Sequence, residues 1–318
     1  MQGSDKTIDE AAATHLGQGG SYAVQTTQFD PTLLVRMPRQ EARDEWGIKE
    51  DFVGVDVWRA YEATFLLSNG MPVSGTLKIV YESRSKYMVE SKSLKLYLNT
   101  FDMCEMGPAI QIATQKYVSQ IERDLSKLLS TNVKVGFFSE MCGNYEDNIV
   151  ELFPHHYLLD REVHSLDKFT DYKGESNHIV FEATSFAEKE NGGGNNFLSI
   201  GYRSNLLRSR CRHTKQKDSG SIFITIRSSH QLYKESFLKQ IVSLREVNEF
   251  HEFCAEKIYS TILEKAKEVG VEVKDLMITC LYARRGGIDI CPSRATSWDM
   301  IPEPMMRIDL LEQKTIMQ

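Results

Sequence analysis

The same order of hydrophobic periods occurs twice along the chain, and this recurrence constrains the fold more than any other feature. In the first half, "GTLKIVYESRSKYMVESKSLKLYLNTF" reads as two strands around a polar turn at Ser83 to Lys86. Apolar residues alternate with polar ones in "LKIVY" and again in "SLKLYL". "PAIQIATQKYVSQIERDLSKLLS" then spaces apolar residues by three and four, with Pro108 suited to a first helical turn, and "VKVGFFS" follows as a short strand. In the second half "SIFITIR" is a strand, and residues 233–270 carry one or two amphipathic helices closed by Gly270. "LMITCLYA" is then a buried strand, followed by an "RRGG" turn and "IDICP". Two copies of a strand pair, a helix pair and a strand imply an internal duplication within an α+β chain.

The two units are assigned to residues 1–145 and 146–318, and a chain of 318 residues is long enough for each to bury its own core. The segment "FDPTLLVRMPRQEARDEWGI" is a lead-in wrapping the first unit, and "ENGGGNN" is an exposed loop in the irregular middle. A net charge of -6 argues against a protein whose main task is to hold a nucleic-acid backbone. The polar N-terminus lacks the apolar stretch of a secretion signal, and no run approaches membrane-spanning length, so a cytoplasmic location is expected. Six cysteines lie scattered with no CxxC pair, and no histidine cluster has ligand spacing, so no metal site is expected.

Four stretches can carry chemistry. "LRSRCRHTKQKDSGS" sets Cys211 among Arg208, Arg210, Arg212, His213 and Lys215, which would favour the nucleophilic thiolate if they crowd it. Asp218, seven residues on, is a candidate proton donor or base; the plain alternative is an inert cysteine beside a solvated basic loop. In "NEFHEFC", His251 and Glu252 point about 100 degrees apart on a helix and can line two edges of one pocket, or can belong to a solvated face. In "VESKSLKLY", read as a strand, Glu90 and Lys92 share one face and Ser91, Ser93 and Lys95 the other. Such a strand is an ordinary lysine-guarded edge or a phosphate cradle. In "ARRGG" the glycines permit close backbone approach and the arginines offer forked donors, although a simple tight turn has the same composition.

Taken in order, "ESKSLKLYLNTF", "SRCRHTKQKDSGS", "NEFHEFC" and "RRGGIDICPSR" resemble the two-module 7-cyano-7-deazaguanine reductases, NADPH-dependent nitrile reductases of the queuosine pathway. The likeness extends to "FDPTLLVRMPRQ" and "VGVDVWRAYEATFL" and covers most of the chain. It implies two tandem tunnelling-fold (T-fold) modules with antiparallel sheets and paired helices, associating as a homodimer. It implies Cys211 as the nucleophile that forms a thioimide with the nitrile and Asp218 as its proton donor. Val89, Glu90, Ser91, His251 and Glu252 fall on the substrate segments of the family; Ser91, Lys92, Arg285 and Gly286 fall on its NADPH contacts. The implied partner is a small deazaguanine, with no membrane and no direct nucleic-acid binding.

The family's nucleophile loop continues through a glutamine-proline-aspartate-tryptophan-glycine run, where this chain reads "QKDSG". Lys217 in place of proline frees the backbone, and Ser219 in place of tryptophan is expected to leave room beside the acid. A diverged relative that resolves the thioimide with an amine, or takes another deazaguanine, is the enzymatic alternative. A binding module for a deazaguanine or for nucleic acid is the non-enzymatic one.

Overall fold

Residues 110–129 form the longest helix because Ala113, Tyr117, Ile121, Leu125 and Leu129 recur every fourth position and all are buried, while Ser130 ends it in a left-handed conformation (φ 54°). The protein is described here by a computed structural model covering residues 28–143, 149–161, 169–183 and 197–312. The polar N-terminus of residues 1–20 and the "ENGGGNN" loop lie outside the described residues.

The first half contains β1 (Arg36–Pro38), α1 (Arg39–Glu45), β2 (Val53–Leu67), β3 (Pro72–Glu82), β4 (Tyr87–Val89), α2 (Ser91–Asn99), β5 (Glu105–Gly107), α3 (Ile110–Leu129) and β6 (Lys134–Phe138). After the short strands β7 (Ile149–Val150), β8 (Tyr157–Leu158) and β9 (Phe181–Glu182) come β10 (Leu198–Arg210), β11 (Lys217–Ser228), β12 (Gln231–Leu232), α4 (Lys234–Ser243) and α5 (His251–Glu268). The chain continues through β13 (Val273–Tyr282), β14 (Ile288–Ala295), α6 (Glu303–Met306) and β15 (Leu311–Glu312).

One nine-stranded sheet organises this α+β structure, in the order β6-β3-β2-β14-β13-β11-β10-β8, with β5 added beside the end of β2. Its long pairings are antiparallel, and β5 and β8 join in parallel. Each half sends a hairpin into two helices and then lays a strand against the hairpin's second strand: β6 against β3, β13 against β11. The halves join where β14 pairs with β2, from Ile288↔Ala60 to Ala295↔Val53. The larger core lies between the helices and one sheet face, where Ile222, Ile224 and Ile226 of β11 meet Phe237 and Ile241 of α4 and Phe253 and Ile258 of α5. On the opposite face a smaller apolar cluster, including Val55, Val57, Phe223 and Leu281, is covered by Ile301 and Met305 of the C-terminal segment. There the wholly buried Lys78 ammonium pairs with Glu312 and donates to the carbonyls of Pro304 (2.7 Å) and Leu310 (2.9 Å).

Helices α3, α4 and α5, strands β6, β11 and β13, the "RRGG" turn and Gly270 (φ 72°) lie where the periodicity puts them. One reading is corrected. Residues 91–99 are a helix, not a strand, and β4 pairs with β1 rather than with β3. Leu94, Tyr97 and Leu98 are its buried apolar residues, a three-and-four spacing that "SLKLYL" disguises as alternation. Glu90 starts the helix by accepting from the backbone N–H groups of Lys92 (3.1 Å) and Ser93 (2.7 Å), satisfying two donors that a helix end leaves without intrahelical partners. Pro108 precedes α3 rather than opening it; Ala109 is the cap.

Candidate active site

Backbone pairing brings the nucleophile loop to the start of α5. The Arg210 N–H donates to the Val247 carbonyl (2.8 Å), and the Glu249 N–H donates back to the Arg210 carbonyl (2.9 Å), so the end of β10 is fastened to the segment that leads into the helix. Cys211 follows at once. Its N–H donates to the Gln216 carbonyl (2.8 Å) and its carbonyl accepts from Lys215 (2.9 Å), closing a tight loop in which Lys215 takes a left-handed φ of 58°. The chain re-enters the sheet at Lys217, with Asp218 opposite Ser209.

Cys211 is half-buried, and its thiol is held below the ordinary value. Burial opposes ionisation, but the Thr214 hydroxyl, the backbone N–H groups of Thr214 and His213, and the Arg285 guanidinium favour the sulfur anion and together prevail. The arginines flanking the cysteine in sequence are not its counter-ions, which corrects the expected crowding. Arg210 pairs with Glu246 (3.1 Å), and Arg212 with Glu45 (2.8 Å) and Glu249 (3.1 Å); Arg208 stands opposite Ser219, on the other sheet face from Asp218. His213 contributes through its backbone N–H. Lys215 turns its ammonium to the Arg212 carbonyl (2.9 Å).

Arg285 arrives from the β13–β14 turn, where its N–H donates to the Ile288 carbonyl (2.9 Å) across Gly286 (φ 59°) and Gly287 (φ 81°). Two consecutive positive φ angles are the requirement of a type I′ hairpin, and glycine meets it without strain. A Cβ at Gly287 would stand 2.5 Å from the Glu62 carboxylate. Arg285 Nη1 reaches Asp218 Oδ1 at 2.7 Å. Burial raises the Asp218 carboxyl above its ordinary value, against the pull of Arg285 and Lys92. His251, the first residue of α5, places Nε2 at 3.7 Å from Asp218 Oδ2, beyond hydrogen-bond range, and stacks edge-on against Tyr282 at 4.1 Å between ring centroids. Burial and then the Arg285 charge lower its pKa to about 3, so the ring is neutral near pH 7.

Asp218, His251, Arg285, Gly286, Ser91 and Lys92 line one cleft of about 170 Å³, together with Lys95 and Gln216. Glu90 and Val89 immediately precede Ser91 at the start of α2. Glu252 does not line the cleft. It is 1% exposed, its Oε1 lacks a hydrogen-bond partner among the described residues, and it adjoins a buried charge network. In that network Arg39 pairs with Asp56, Arg294 bridges Asp56 (2.8 Å) and Glu256 (2.9 Å), and Arg43 holds Glu256 (2.9 Å). Burial and the Asp56 charge push the Glu252 carboxyl up to about 8, with Arg39 and Arg294 opposing. Ser219 is on the opposite face of the regular strand β11 from Asp218, so the room left by its small side chain is not in the cleft, contrary to expectation.

Lys95, Thr214 and Gln216 were missed from sequence as site residues. A helical reading of "ESKSLKLY" sets Lys92 and Lys95 three apart on one face and would have found Lys95. Three cations of the cleft, Lys92, Lys95 and Arg285, beside a glycine pair whose positive φ angles disfavour any side chain, form a cradle suited to a phosphate-bearing cofactor.

Residues 25–137 match the family model described as nitrile reductase, 7-cyano-7-deazaguanine-reductase N-term. An NADPH-dependent 7-cyano-7-deazaguanine reductase of Rickettsia bellii (strain OSU 85-389) is 32% identical over 284 residues, covering 87% of this chain and 92% of the relative. Proteins of the same name from Rickettsia canadensis (strain McKiel) and Hydrogenovibrio crunogenus (strain DSM 25203 / XCL-2) are 32% and 33% identical, covering 89% and 91% of this chain and 93% and 94% of theirs. The matched family is one of nitrile-reducing oxidoreductases. The chain belongs to the NADPH-dependent 7-cyano-7-deazaguanine reductases.

Proposed function

We propose that this protein reduces the nitrile of 7-cyano-7-deazaguanine to the aminomethyl group at the expense of NADPH, through a thioimide on Cys211, as a step of queuosine biosynthesis. The observation that carries the reading is a half-buried sulfur held below its ordinary pKa, in a loop that closes beside a buried carboxyl held above its own and paired with Arg285. The sulfur adds its electron pair to the nitrile carbon. A C–S bond forms as one C≡N π pair moves to nitrogen, and the Asp218 carboxyl donates the proton that completes the N–H bond. Glu90 accepts from the donor-rich edge of the base, as does Glu252 once the base reaches its buried place next to His251 on α5; the neutral His251 ring flanks the base, and Val89 and Ser91 contribute from the start of α2. A Glu252 side chain that keeps its proton until substrate arrives avoids leaving a bare charge in a buried site.

Ser91, Lys92, Arg285 and Gly286, which line the cleft together with Lys95, would hold NADPH. When bound, NADPH supplies the hydride, and two equivalents take a nitrile to an amine. The halves, residues 1–145 and 146–318, are read as tandem T-fold modules; their shared order of hairpin, two helices and adjoining strand supports this.

Incubation with 7-cyano-7-deazaguanine in the absence of NADPH should add the mass of the base to the Cys211 peptide. Cys211→Ala should lose both the adduct and base-dependent NADPH oxidation. An unmodified Cys211 under saturating base would overturn the reading.

A further inference from the structure

Arg285 acts on both groups that the proposed chemistry needs: it pairs with Asp218 and is among the groups that favour the Cys211 thiolate. Its Nη1 lies 2.7 Å from Asp218 Oδ1, and its guanidinium favours the anion of the Cys211 sulfur, whose loop closes on Gln216 two residues before Asp218. The paired glycines of the β13–β14 turn shape its backbone, and the head remains 37% exposed and lines the cleft together with Lys92 and Lys95. One cation between a sulfur and a carboxylate favours the anion on both. That serves the sulfur as nucleophile and opposes the carboxyl as proton donor.

We propose that Arg285 is a catalytic counter-ion shared by Cys211 and Asp218, and that a phosphate-bearing ligand entering beside Lys92 and Lys95 competes for it, releasing Asp218 to take up one proton from solvent. The proposal rests on the reading above for the roles of the two groups, whereas the electrostatic coupling does not depend on which substrate is bound. The other groups facing the pair leave this assignment to Arg285. The Cys211 sulfur meets Thr214 and the His213 backbone from its own loop. Asp218 meets the Lys92 charge from α2 and the uncharged His251 from α5, and it adjoins the thiol of Cys254 and the hydroxyl of Tyr282, both held neutral by burial. Lys92 acts on Asp218 and is not among the main groups that favour the Cys211 thiolate.

The test is the pH profile of Cys211 alkylation by iodoacetamide, read by mass spectrometry of the Cys211 peptide. Arg285→Gln should raise the midpoint by about one pH unit, roughly a tenfold loss of thiolate below it, and Arg285→Lys should fall between. Saturating NADP+ should move the wild-type midpoint toward that of Arg285→Gln and leave the variant's midpoint in place. Simple shielding of the thiol would lower the rate at every pH without moving the midpoint, and would overturn the competition. Equal midpoints for wild type and Arg285→Gln would overturn the shared counter-ion. If the base adduct forms while the midpoints coincide, this proposal alone fails. If the midpoints shift but no adduct forms, the functional reading fails and the coupling stands.

Discussion

The unpaired carboxyl oxygen of Glu252 gives one residue a measurable hold on stability. The folded carboxyl titrates near 8 against an ordinary 4.5, raised by burial and Asp56. Below about pH 4.5 the group is neutral whether the chain is folded or not. Between 4.5 and 8 the unfolded chain gives up the proton and the folded one keeps it, so this residue's contribution declines as pH rises, by up to about 1.4 kcal/mol per unit. Glu252→Gln is neutral throughout and should gain stability over wild type progressively across that window. Urea midpoints at pH 5 and pH 8 check this, and parallel profiles would refute it. In the opposite direction, His156, lowered to about 4 by burial and the Arg203 charge, donates or accepts with Thr225 (2.9 Å) and loses its contribution as pH falls toward 4.

At the scale of elements, strand β11 sorts its residues by parity. Asp218, Gly220 and Ile222 face the helices, and Ser219, Ser221 and Phe223 face the second cluster. Ser219→Trp should therefore leave the Cys211 alkylation midpoint unchanged while altering thermal stability or self-association; a midpoint shift comparable to that of Arg285→Gln would contradict the placement. The same parity limits what the sequence reveals. Long periodic segments such as α3 and β13 were legible because burial repeats over many residues. The helix α2 was misread because Leu94, Leu96 and Leu98 alternate, although only Leu94 and Leu98 of the three are buried. Its helical start is decided by the Glu90 cap, which a short window does not weigh. The counter-ion of Cys211 was hidden for a different reason. Local composition pointed to Arg210 and Arg212, whose charges are taken by Glu246, Glu45 and Glu249, and the group that reaches the sulfur comes from a turn distant in sequence.

Across the whole molecule, the sheet ends on one side at β6 and on the other at the two-residue strand β8. Open edges are points at which a second copy can add strands, so the proposed homodimer is expected to use them and to close the sheet. Light scattering should return twice the mass of one chain at micromolar concentration; a monomer at that concentration would refute the dimer.

The seam between β2 and β14 carries more than backbone pairing. Arg43 and Asp56 belong to the first half, Glu256 and Arg294 to the second, and Arg43 pairs with Glu256 and Asp56 with Arg294 across the join inside the protein. Separating the halves would leave charges of both signs stranded against apolar surface, a cost that rises with every bond in the chain of ions. If the gene arose by doubling, the descendants have exchanged independence for mutual neutralisation, and the two portions now stand or fall as one cooperative unit.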